Sequence, residues 1–332
     1  MRSPTADWYH RAATRDLVGH SALHVAWAAG VSDDQDVVEL LDRLPRERRQ
    51  PSLIFSVATW LGAEATNYDE FRTWLIENWP AVEAAARERR TQTNEVGRAA
   101  PLVAALARIP GALALLEVGA AAGLCVIPER YSYRFGDRPV LGSGSPLIAC
   151  AVDATGVAAG LAPTELPDIR WRLGLDLDPL SAADVHDSAW LEALVPLDRP
   201  DRRERLRAAL ATARVDPPRV IAGDALADLA GAAADVPDGL TLVVVSLGTL
   251  VYLPPDARAA FPGAVAELGT PERPVHLVTL EQSGIADDAA LPAGRFVLAL
   301  DGRAIAEVSP HGDRLVAIPQ AGSRHSGATS GH

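Results

Sequence analysis

The chain has 332 residues, and its 43 acidic and 31 basic side chains give a net charge of −12. Every basic residue is an arginine, which excludes a Schiff-base or P-loop lysine, and the acidic balance argues against nucleic-acid binding. No apolar stretch reaches the length of a membrane span, and the first residues lack the apolar segment of a secretory signal, so we expect a cytoplasmic protein without a membrane partner.

The first third of the chain predicts helices. Apolar residues recur there at helical spacing, as at Leu53 and Val57, and no stretch has the pattern of a strand. Pro110–Gly111 then marks a boundary. We therefore predict a helical N-terminal domain over residues 1–110 and an α/β domain over residues 111–320.

A buried strand followed by a turn of small residues is the strongest functional signal. Leu113–Val118 is apolar except for Glu117, and Gly119–Gly123 contains only glycine and alanine. We expect a helix to follow, so that backbone N–H groups and the positive end of the helix dipole lie at the carboxyl edge of a sheet, where nucleotide-like ligands bind. A dinucleotide fingerprint would need a small residue at its sixth position, which Leu124 occupies.

An acid followed by small residues at alternate positions fits a different cofactor. Glu117, Gly119, Ala121 and Gly123 resemble motif I of the class I S-adenosylmethionine (SAM)-dependent methyltransferases, with Ala121 in place of the middle glycine. The resemblance implies that these four residues bind SAM. The alternative interpretation is an ordinary buried strand that ends in a glycine turn.

The remaining pattern predicts an α/β fold with a Rossmann-like, mostly parallel sheet and an antiparallel C-terminal edge. Residues 128–168 are rich in tyrosine, glycine and proline and predict an irregular insertion. The predicted strands after it are 170–176, 219–222, 242–246, 275–280, 295–300, 303–308 and 315–318, with a helix at about 187–214. Residues 321–332 are small and polar and predict a disordered tail.

One acid comes at or after the end of each of the first three predicted strands, namely Glu117, Asp176 and Asp224. Asp176 ends the second strand, where a carboxylate can accept both hydroxyls of a ribose, although an acid of a turn would look the same. Asp224 and Ala225 follow the third strand, where a side-chain oxygen could accept the amine of adenine. Ser246 ends the fourth strand. Together with Glu117, these residues predict one cofactor site.

Several motifs extend the resemblance over nearly the whole chain. They are Gln92–Arg98, Leu116–Leu124, Glu129–Tyr133, Gly174–Pro179, Pro218–Ala225, Tyr252–Pro255 and Pro310–Gly312. In order and spacing they resemble the actinobacterial DUF2332 family, and this resemblance implies a methyltransferase-like fold. It also implies an asparagine and a histidine at two positions where this chain has Cys125 and Ser246.

The first of these motifs carries three candidate ligand-binding residues. We hypothesise that Asn94, Glu95 and Arg98 lie over the cofactor and its substrate, with Arg98 pairing the methionine carboxylate of SAM. Glu95 and Arg98 are three residues apart, so a simple surface ion pair is the alternative.

A second group of residues predicts the entrance for the substrate. Arg130 and Tyr133 follow the glycine turn, and Tyr252 follows the fourth strand. Packing within the insertion is the alternative for Tyr133. His311 lies in a Pro-His-Gly turn, where it is either an ordinary turn residue or a proton carrier.

The function predicted is SAM-dependent methylation of a small molecule, a reaction for which no catalytic base is compulsory, and we assign no catalytic residue. Two alternatives stay open: a non-catalytic SAM-fold module that senses a ligand or binds a partner, and a hydrolase acting through Ser246. Residues 244–248 approach a nucleophile elbow but lack its first glycine. His20 and His24 have metal-ligand spacing without an evident third ligand, so we predict no metal site.

Overall fold

The computed structural model describes residues 2–155, 160–287, 291–292 and 295–318. The chain divides into two compact units, the first within Met1–Asn94 and Leu180–Pro217 and the second within Glu95–Pro179 and Pro218–His332. This division differs from the predicted boundary at residue 110. Residues 95–110 group with the sheet, and the segment after residue 180 groups with the N-terminal helices.

The first unit is helical. Its helices are α1 (Pro4–Arg11), α2 (Ala22–Asp33), α3 (Gln35–Leu41), α4 (Pro51–Trp60), α5 (Tyr68–Glu77), α6 (Trp79–Glu88), α8 (Val185–Ala193) and α9 (Pro200–Val215). Several begin at a side chain that accepts a hydrogen bond from the first turn, as Ser21 does for α2 and Asn67 for α5. The helix predicted at about 187–214 is two helices, because Pro196 and Pro200 interrupt it.

The second unit contains a large sheet, and its described residues include the helices α7 (Ala99–Leu106), α10 (Leu229–Ala232) and α11 (Pro255–Ala266). Its strands are β1 (Leu113–Val118), β2 (Ser132–Phe135), β3 (Leu147–Val152), β4 (Ile169–Asp176), β5 (Val220–Ala222), β6 (Thr241–Leu247), β7 (Val275–Gln282), β8 (Phe296–Leu300), β9 (Arg303–Val308) and β10 (Arg314–Ala317). Strand β1 is buried along its whole length, as its uninterrupted apolar sequence predicts.

The order of the ten strands is β2-β3-β10-β9-β8-β7-β6-β1-β4-β5. The strands from β5 to β7 in this order are all parallel. Their order is doubly wound: starting from β1, the chain adds β4 and β5 on one side and then β6 and β7 on the other. Glu117 in β1 lies beside Gly174 in β4 and Val245 in β6. The carboxyl ends of these three strands therefore meet at one edge of the sheet, at the position where such folds bind ligands.

The predicted α/β class is confirmed, since the sheet is mostly parallel and its C-terminal strands are antiparallel. The antiparallel strands do not form its edge, however, because β3 pairs with β10 and β2 lies outside β3. Both extra strands come from the segment predicted to be irregular. Burial alternates along β3 and from Tyr133 to Phe135 in β2, which is the period-two pattern of a strand with one buried face.

Two further expectations concern the turn and the tail. The helix expected after the glycine turn is absent: residues 119–127 form turns, and only the short 3-10 helix Pro128–Arg130 follows. Left-handed residues in the turn and Pro128 after it prevent a regular helix. The predicted tail, 321–332, lies outside the described residues. Among the helices that are described, none has both the length and the apolar composition needed to cross a bilayer.

Candidate ligand site at the carboxyl edge of the sheet

The glycine turn has an unusual backbone. Three of its residues adopt left-handed conformations, with φ angles of 72° at Gly119, 49° at Ala121 and 71° at Gly123. Glycine adopts this region freely, whereas an alanine there is strained. The turn is almost completely buried from Ala120 to Ile127, and Gly119 is more exposed. Strain of this kind persists only where the surrounding structure holds it in place, and it is common at ligand sites.

Close neighbours explain why two of these positions are glycine. A Cβ atom at Gly119 would lie 2.1 Å from Oγ1 of Thr249, which follows strand β6. A Cβ atom at Gly123 would lie 2.9 Å from Pro218 and from Val220 on the other side of the turn. The turn is therefore packed between the segments that follow β6 and precede β5.

Asp176 holds this turn from the neighbouring strand. Its Oδ2 atom accepts a hydrogen bond from the N–H of Ala121 at 2.8 Å, and its Oδ1 atom accepts one from the N–H of Asp178 at 2.9 Å. The side chain is half-buried. Two of the residues predicted to bind the cofactor, Ala121 and Asp176, thus lie in direct contact, and they do so because β1 and β4 are adjacent and parallel.

Glu117 is a buried carboxyl group at the end of β1, with only 2 % of its surface exposed. Burial raises its pKa well above the ordinary value, the nearby Asp176 carboxylate raises it further, and the Arg98 guanidinium acts in the opposite direction. Its Oε2 atom is buried without a hydrogen-bond partner among the described residues. A buried polar atom of this kind requires an explanation, and a ligand is one.

Glu281, at the end of β7, is a second buried carboxyl group, which the sequence analysis missed. Its Oε1 atom accepts hydrogen bonds from the hydroxyl of Ser246 at 2.7 Å and from the N–H groups of Gly248, Thr249 and Leu250 at 3.0, 2.8 and 3.0 Å. Burial raises its pKa, and these hydrogen bonds and Arg98 oppose the rise. The predicted strand ended at Leu280, one residue short of this acid.

The geometry around Ser246 does not suit a nucleophile. The side chain is fully buried, and its hydroxyl donates to a carboxylate rather than to a histidine base. The three N–H groups that could have formed an oxyanion hole all donate to the same Glu281 oxygen. These contacts count against hydrolysis through Ser246.

The charge of Arg98 acts on both Glu117 and Glu281, and its guanidinium binds main-chain carbonyl groups. Its Nη1 atom donates to the carbonyl oxygen of Leu247 at 2.5 Å and its Nε atom to that of Pro310 at 3.1 Å. The guanidinium also lies over the ring of Phe296, 5.6 Å from its centroid. Two of its donors therefore bind the backbone, and the pairing of Arg98 with the methionine carboxylate of SAM stays a prediction.

Glu95 does not pair with Arg98 as the surface-pair alternative supposed. It is buried, and its Oε1 atom accepts a hydrogen bond from the N–H of Gly97 at 3.1 Å. Its Oε2 atom lies 3.3 Å from Nδ1 of His311. Asn94, the preceding residue, is buried and is the last residue of the first unit's N-terminal segment.

The third predicted acid, Asp224, has a structural role. Its Oδ1 atom accepts hydrogen bonds from the N–H groups of Leu226 and Ala227, both at 2.9 Å. These bonds lower the pKa of the carboxyl group. Asp224 is exposed, and Ala225 is partly buried against the core. The carboxylate therefore caps the turn that follows β5, the outermost strand of the parallel run.

The residues predicted to line a substrate entrance separate into two groups. Tyr133 is fully buried, and its hydroxyl donates to the carbonyl oxygen of Pro128 at 2.5 Å, so it packs within the core as the alternative interpretation supposed. Arg130 is half-buried, with its Nε atom 3.7 Å from Glu129. Tyr252, in contrast, is 71 % exposed, and Leu177, which follows β4, is 65 % exposed.

A cavity of about 160 Å³ lies elsewhere in the second unit, along β8 to β10, and includes Phe296, Ser309 and Pro310 in its wall. Its wall contains neither Glu117 nor Asp176. Within the described ranges, no group of three or more His, Cys, Asp or Glu side chains could hold a metal ion.

Comparison with known proteins identifies the family. The model for "Uncharacterized protein conserved in bacteria (DUF2332)" matches residues 6–316. The chain belongs to the DUF2332 family. A solved structure described as a "putative methyltransferase" from Thermobifida fusca YX is 17 % identical, with 72 % of this chain and 68 % of that chain covered and a TM-score of 0.25. The comparison with curated proteins gave no match.

In this DUF2332 chain, the two residues that depart from the expected family pattern both have internal partners. Cys125 is a free, buried thiol whose Sγ atom donates to the carbonyl oxygen of Glu95 at 3.6 Å. Burial raises its pKa well above the ordinary value, so it is a thiol and not a thiolate. Ser246 donates to Glu281. Both side chains are therefore buried and make hydrogen bonds to other residues around the site.

Proposed function

We propose that this protein is a SAM-dependent methyltransferase that acts on a small molecule in the cytoplasm, with SAM bound at the carboxyl edge of the parallel sheet. The observation that carries the proposal is the contact between Asp176 and the glycine turn. It joins the acid expected to bind the ribose hydroxyls and the turn expected to lie under the amino-acid part of SAM. Both are at the switch point of a doubly wound sheet.

The residues present fit the chemical groups of SAM. Asp176 accepts a backbone N–H at each of its oxygens and ends the strand next to β1, where a carboxylate can accept the hydroxyl groups of a ribose. Glu117 has a buried oxygen without a partner, which suits the ammonium group of the methionine part. Burial favours the neutral forms of Glu117 and Glu281, and a cationic ligand beside them would favour their ionised forms instead.

Apolar surface near the turn suits the adenine ring. Leu177 follows β4 directly and Tyr252 lies in the segment after β6, so both come after strands that flank β1. Both are mostly exposed, and an exposed large apolar side chain contributes little to folding. Bound SAM would supply an activated methyl group, and the protein would need to align the acceptor with it and exclude water.

Calorimetry with SAM and with S-adenosylhomocysteine tests the proposal. Leu177→Asn removes apolar surface without disturbing a buried contact, and we expect it to weaken SAM binding about tenfold, as the loss of about 1.4 kcal/mol would. Leu147→Asn is the matched control, since Leu147 is 44 % exposed on strand β3, and we expect unchanged affinity. Wild-type protein that binds neither ligand would overturn the proposal.

A turnover screen then separates the enzyme from a binding module. Formation of S-adenosylhomocysteine with a metabolite mixture is the result expected for a methyltransferase. Binding of SAM without turnover would favour the alternative of a module that senses the ligand. Labelling by a serine-directed phosphonate tests hydrolysis, and we expect none at Ser246, because its hydroxyl is buried against Glu281.

A further inference from the structure

The turn that follows β6, residues 248–253, is held at its amino end by Glu281. The Oε1 atom of this buried acid accepts the N–H groups of Gly248, Thr249 and Leu250. Within the turn, the N–H of Tyr252 donates to the carbonyl oxygen of Thr249 at 3.0 Å. The first half of the turn is therefore fixed to the end of β7.

Arg258 holds the other half of the turn. It donates to three main-chain carbonyl groups, those of Leu250, Val251 and Leu253, at 2.9, 3.0 and 3.1 Å. Arg258 is the fourth residue of helix α11 and lies near the positive end of the helix dipole, where a cation is not favoured. The carbonyl groups give the guanidinium its acceptors there, and its rigid fork of donors suits several acceptors at once. Arg258 therefore closes the turn onto the start of the helix that follows it.

The held turn contacts the proposed cofactor site and presents two side chains to solvent. Thr249 packs on the glycine turn, since a Cβ atom at Gly119 would lie 2.1 Å from its Oγ1 atom. Leu250 is fully buried, whereas Val251 is 38 % exposed and Tyr252 is 71 % exposed. The exposed Tyr252 is thus attached to a backbone that is already ordered before a ligand binds.

We propose that Arg258 is a positioning residue, which fixes this turn so that Tyr252 can contact SAM without an ordering step. This proposal rests on the proposed function, in which Tyr252 lies against the adenine ring. Ordering a flexible segment costs free energy and reduces affinity, so a turn that is held in advance lets the whole contact of Tyr252 contribute to binding. Because Arg258 acts through Tyr252, its effect on affinity requires the Tyr252 ring.

The first test needs no ligand. Hydrogen exchange of a peptide covering residues 248–254, measured by mass spectrometry on the full chain, reports how often the turn opens. We expect Arg258→Gln to speed exchange of this peptide about tenfold. Arg273→Gln is the matched control, because Arg273 is likewise half-buried and donates to two main-chain carbonyl groups, those of Ala233 and Leu268, at 3.1 and 3.0 Å. The control should leave exchange of the peptide unchanged, and unchanged exchange in Arg258→Gln would overturn the proposal.

The second test is a double-mutant cycle on SAM affinity, measured by calorimetry. We expect Arg258→Gln to weaken SAM binding about threefold in the wild-type chain and less than about 1.5-fold in Tyr252→Ser, which already lacks the ring. Arg273→Gln removes the same charge and should leave the affinity unchanged in both chains. Arg258→Lys keeps the charge and the aliphatic stem but not the fork of donors, and it serves the same cycle where Arg258→Gln is too unstable to measure. We expect it to weaken binding about twofold, again only in the chain that has the ring.

The outcomes separate this proposal from the proposed function. Equal weakening by Arg258→Gln with and without the Tyr252 ring would show that Arg258 only supports the fold, and it would overturn the positioning role while SAM binding stands. Unchanged affinity in Arg258→Gln or in Tyr252→Ser would overturn it as well. Wild-type protein that binds no SAM would overturn the proposed function and with it the role of Arg258 in binding, whereas the exchange rates would still show whether Arg258 fixes the turn.

Discussion

One cluster in each unit buries polar atoms without hydrogen-bond partners, and the two clusters differ in the chemistry of their side chains. The aromatic cluster of the helical unit consists of Tyr9, His24, Trp27, Phe55 and Phe71, and its unpartnered atoms are the Tyr9 hydroxyl, His24 Nε2 and Trp27 Nε1. The acid cluster of the sheet unit consists of Glu95, Glu117 and Glu281 around Arg98. Its unpartnered atoms are Oε2 of Glu117 and Oε2 of Glu281.

The difference shows which cluster serves stability. In the aromatic cluster the rings stack at centroid distances such as 4.3 Å between Trp27 and Phe71, and every member is neutral when His24 is neutral. Such packing favours the folded state by itself. Burying acids does not, since each carboxyl group loses hydration that one guanidinium cannot replace. An arrangement that lowers stability persists where function requires it, and the predictions below test this division.

The largest expected effect is at Glu281. Glu281→Ala leaves the Ser246 hydroxyl and three backbone N–H groups without their acceptor. We expect the free energy of unfolding to fall by about 3–4 kcal/mol in urea denaturation. Glu281→Gln keeps an acceptor oxygen and should lose about 1 kcal/mol. Equal losses for the two variants would show that Glu281 contributes by packing and not as a hydrogen-bond acceptor.

His24 makes the aromatic cluster sensitive to acid. Burial lowers its pKa to about 4, Asp198 opposes this shift and Arg202 adds to it. The unfolded chain therefore binds a proton at His24 more readily than the folded protein does. The contribution of the neutral His24 to the free energy of unfolding is complete above pH 6.5 and decreases as the pH falls toward 4. The lost stability is roughly 3 kcal/mol, from about 1.36 kcal/mol per pKa unit.

Tryptophan fluorescence can follow this loss, because six of the seven tryptophans are in the helical unit: Trp8, Trp27, Trp60, Trp74, Trp79 and Trp190. The comparison variant is His24→Phe, which keeps a ring to stack on Trp27 and Phe55 and cannot be protonated. The difference in stability between wild type and variant should change with pH over this range. A constant difference would contradict the assignment.

Local sequence patterns predicted the parallel part of the fold. The apolar run Leu113–Val118 is a strand with those bounds, because a strand buried on both faces needs no alternation. The contact between Ala121 and Asp176 also follows from the sequence, since adjacent parallel strands bring their carboxyl ends together. Here local pattern and topology point to the same place.

The rest of the site depends on contacts that no local pattern encodes. Arg98 and the Pro310 carbonyl are 212 residues apart, and neither motif indicates that the other is its partner. The hydrogen bonds of Glu281 depend on how the chain turns after β6, which the strand pattern does not determine. An acid within an otherwise apolar strand was the signal for Glu117, whereas Glu281 lies in a strand that also contains His276 and Thr279.

Backbone strain beside the acid cluster offers a smaller test. Ala121 has a φ angle of 49°, a conformation that costs alanine about 1–2 kcal/mol and glycine almost nothing. The greater entropy of glycine in the unfolded chain offsets part of this difference. We expect Ala121→Gly to stabilise the protein by up to about 1 kcal/mol. Ala122→Gly is the control, because Ala122 is equally buried without a positive φ, and it should destabilise by about 1 kcal/mol. Equal effects at the two positions would mean that the turn is unstrained.

The smallest expected effect on stability separates the two tyrosines assigned to the substrate entrance. Tyr252→Ser changes a side chain that is 71 % exposed, and we expect the free energy of unfolding to change by less than about 0.5 kcal/mol. Tyr133→Phe removes the donor to Pro128 and should cost about 1 kcal/mol. SAM affinity should show the reverse order, weakening about fivefold for Tyr252→Ser, as the loss of a contact of about 1 kcal/mol would, and staying unchanged for Tyr133→Phe. The comparison of the two clusters predicts that this edge of the sheet has residues that binding needs and folding does not. Unchanged SAM affinity in Tyr252→Ser would place the ligand elsewhere.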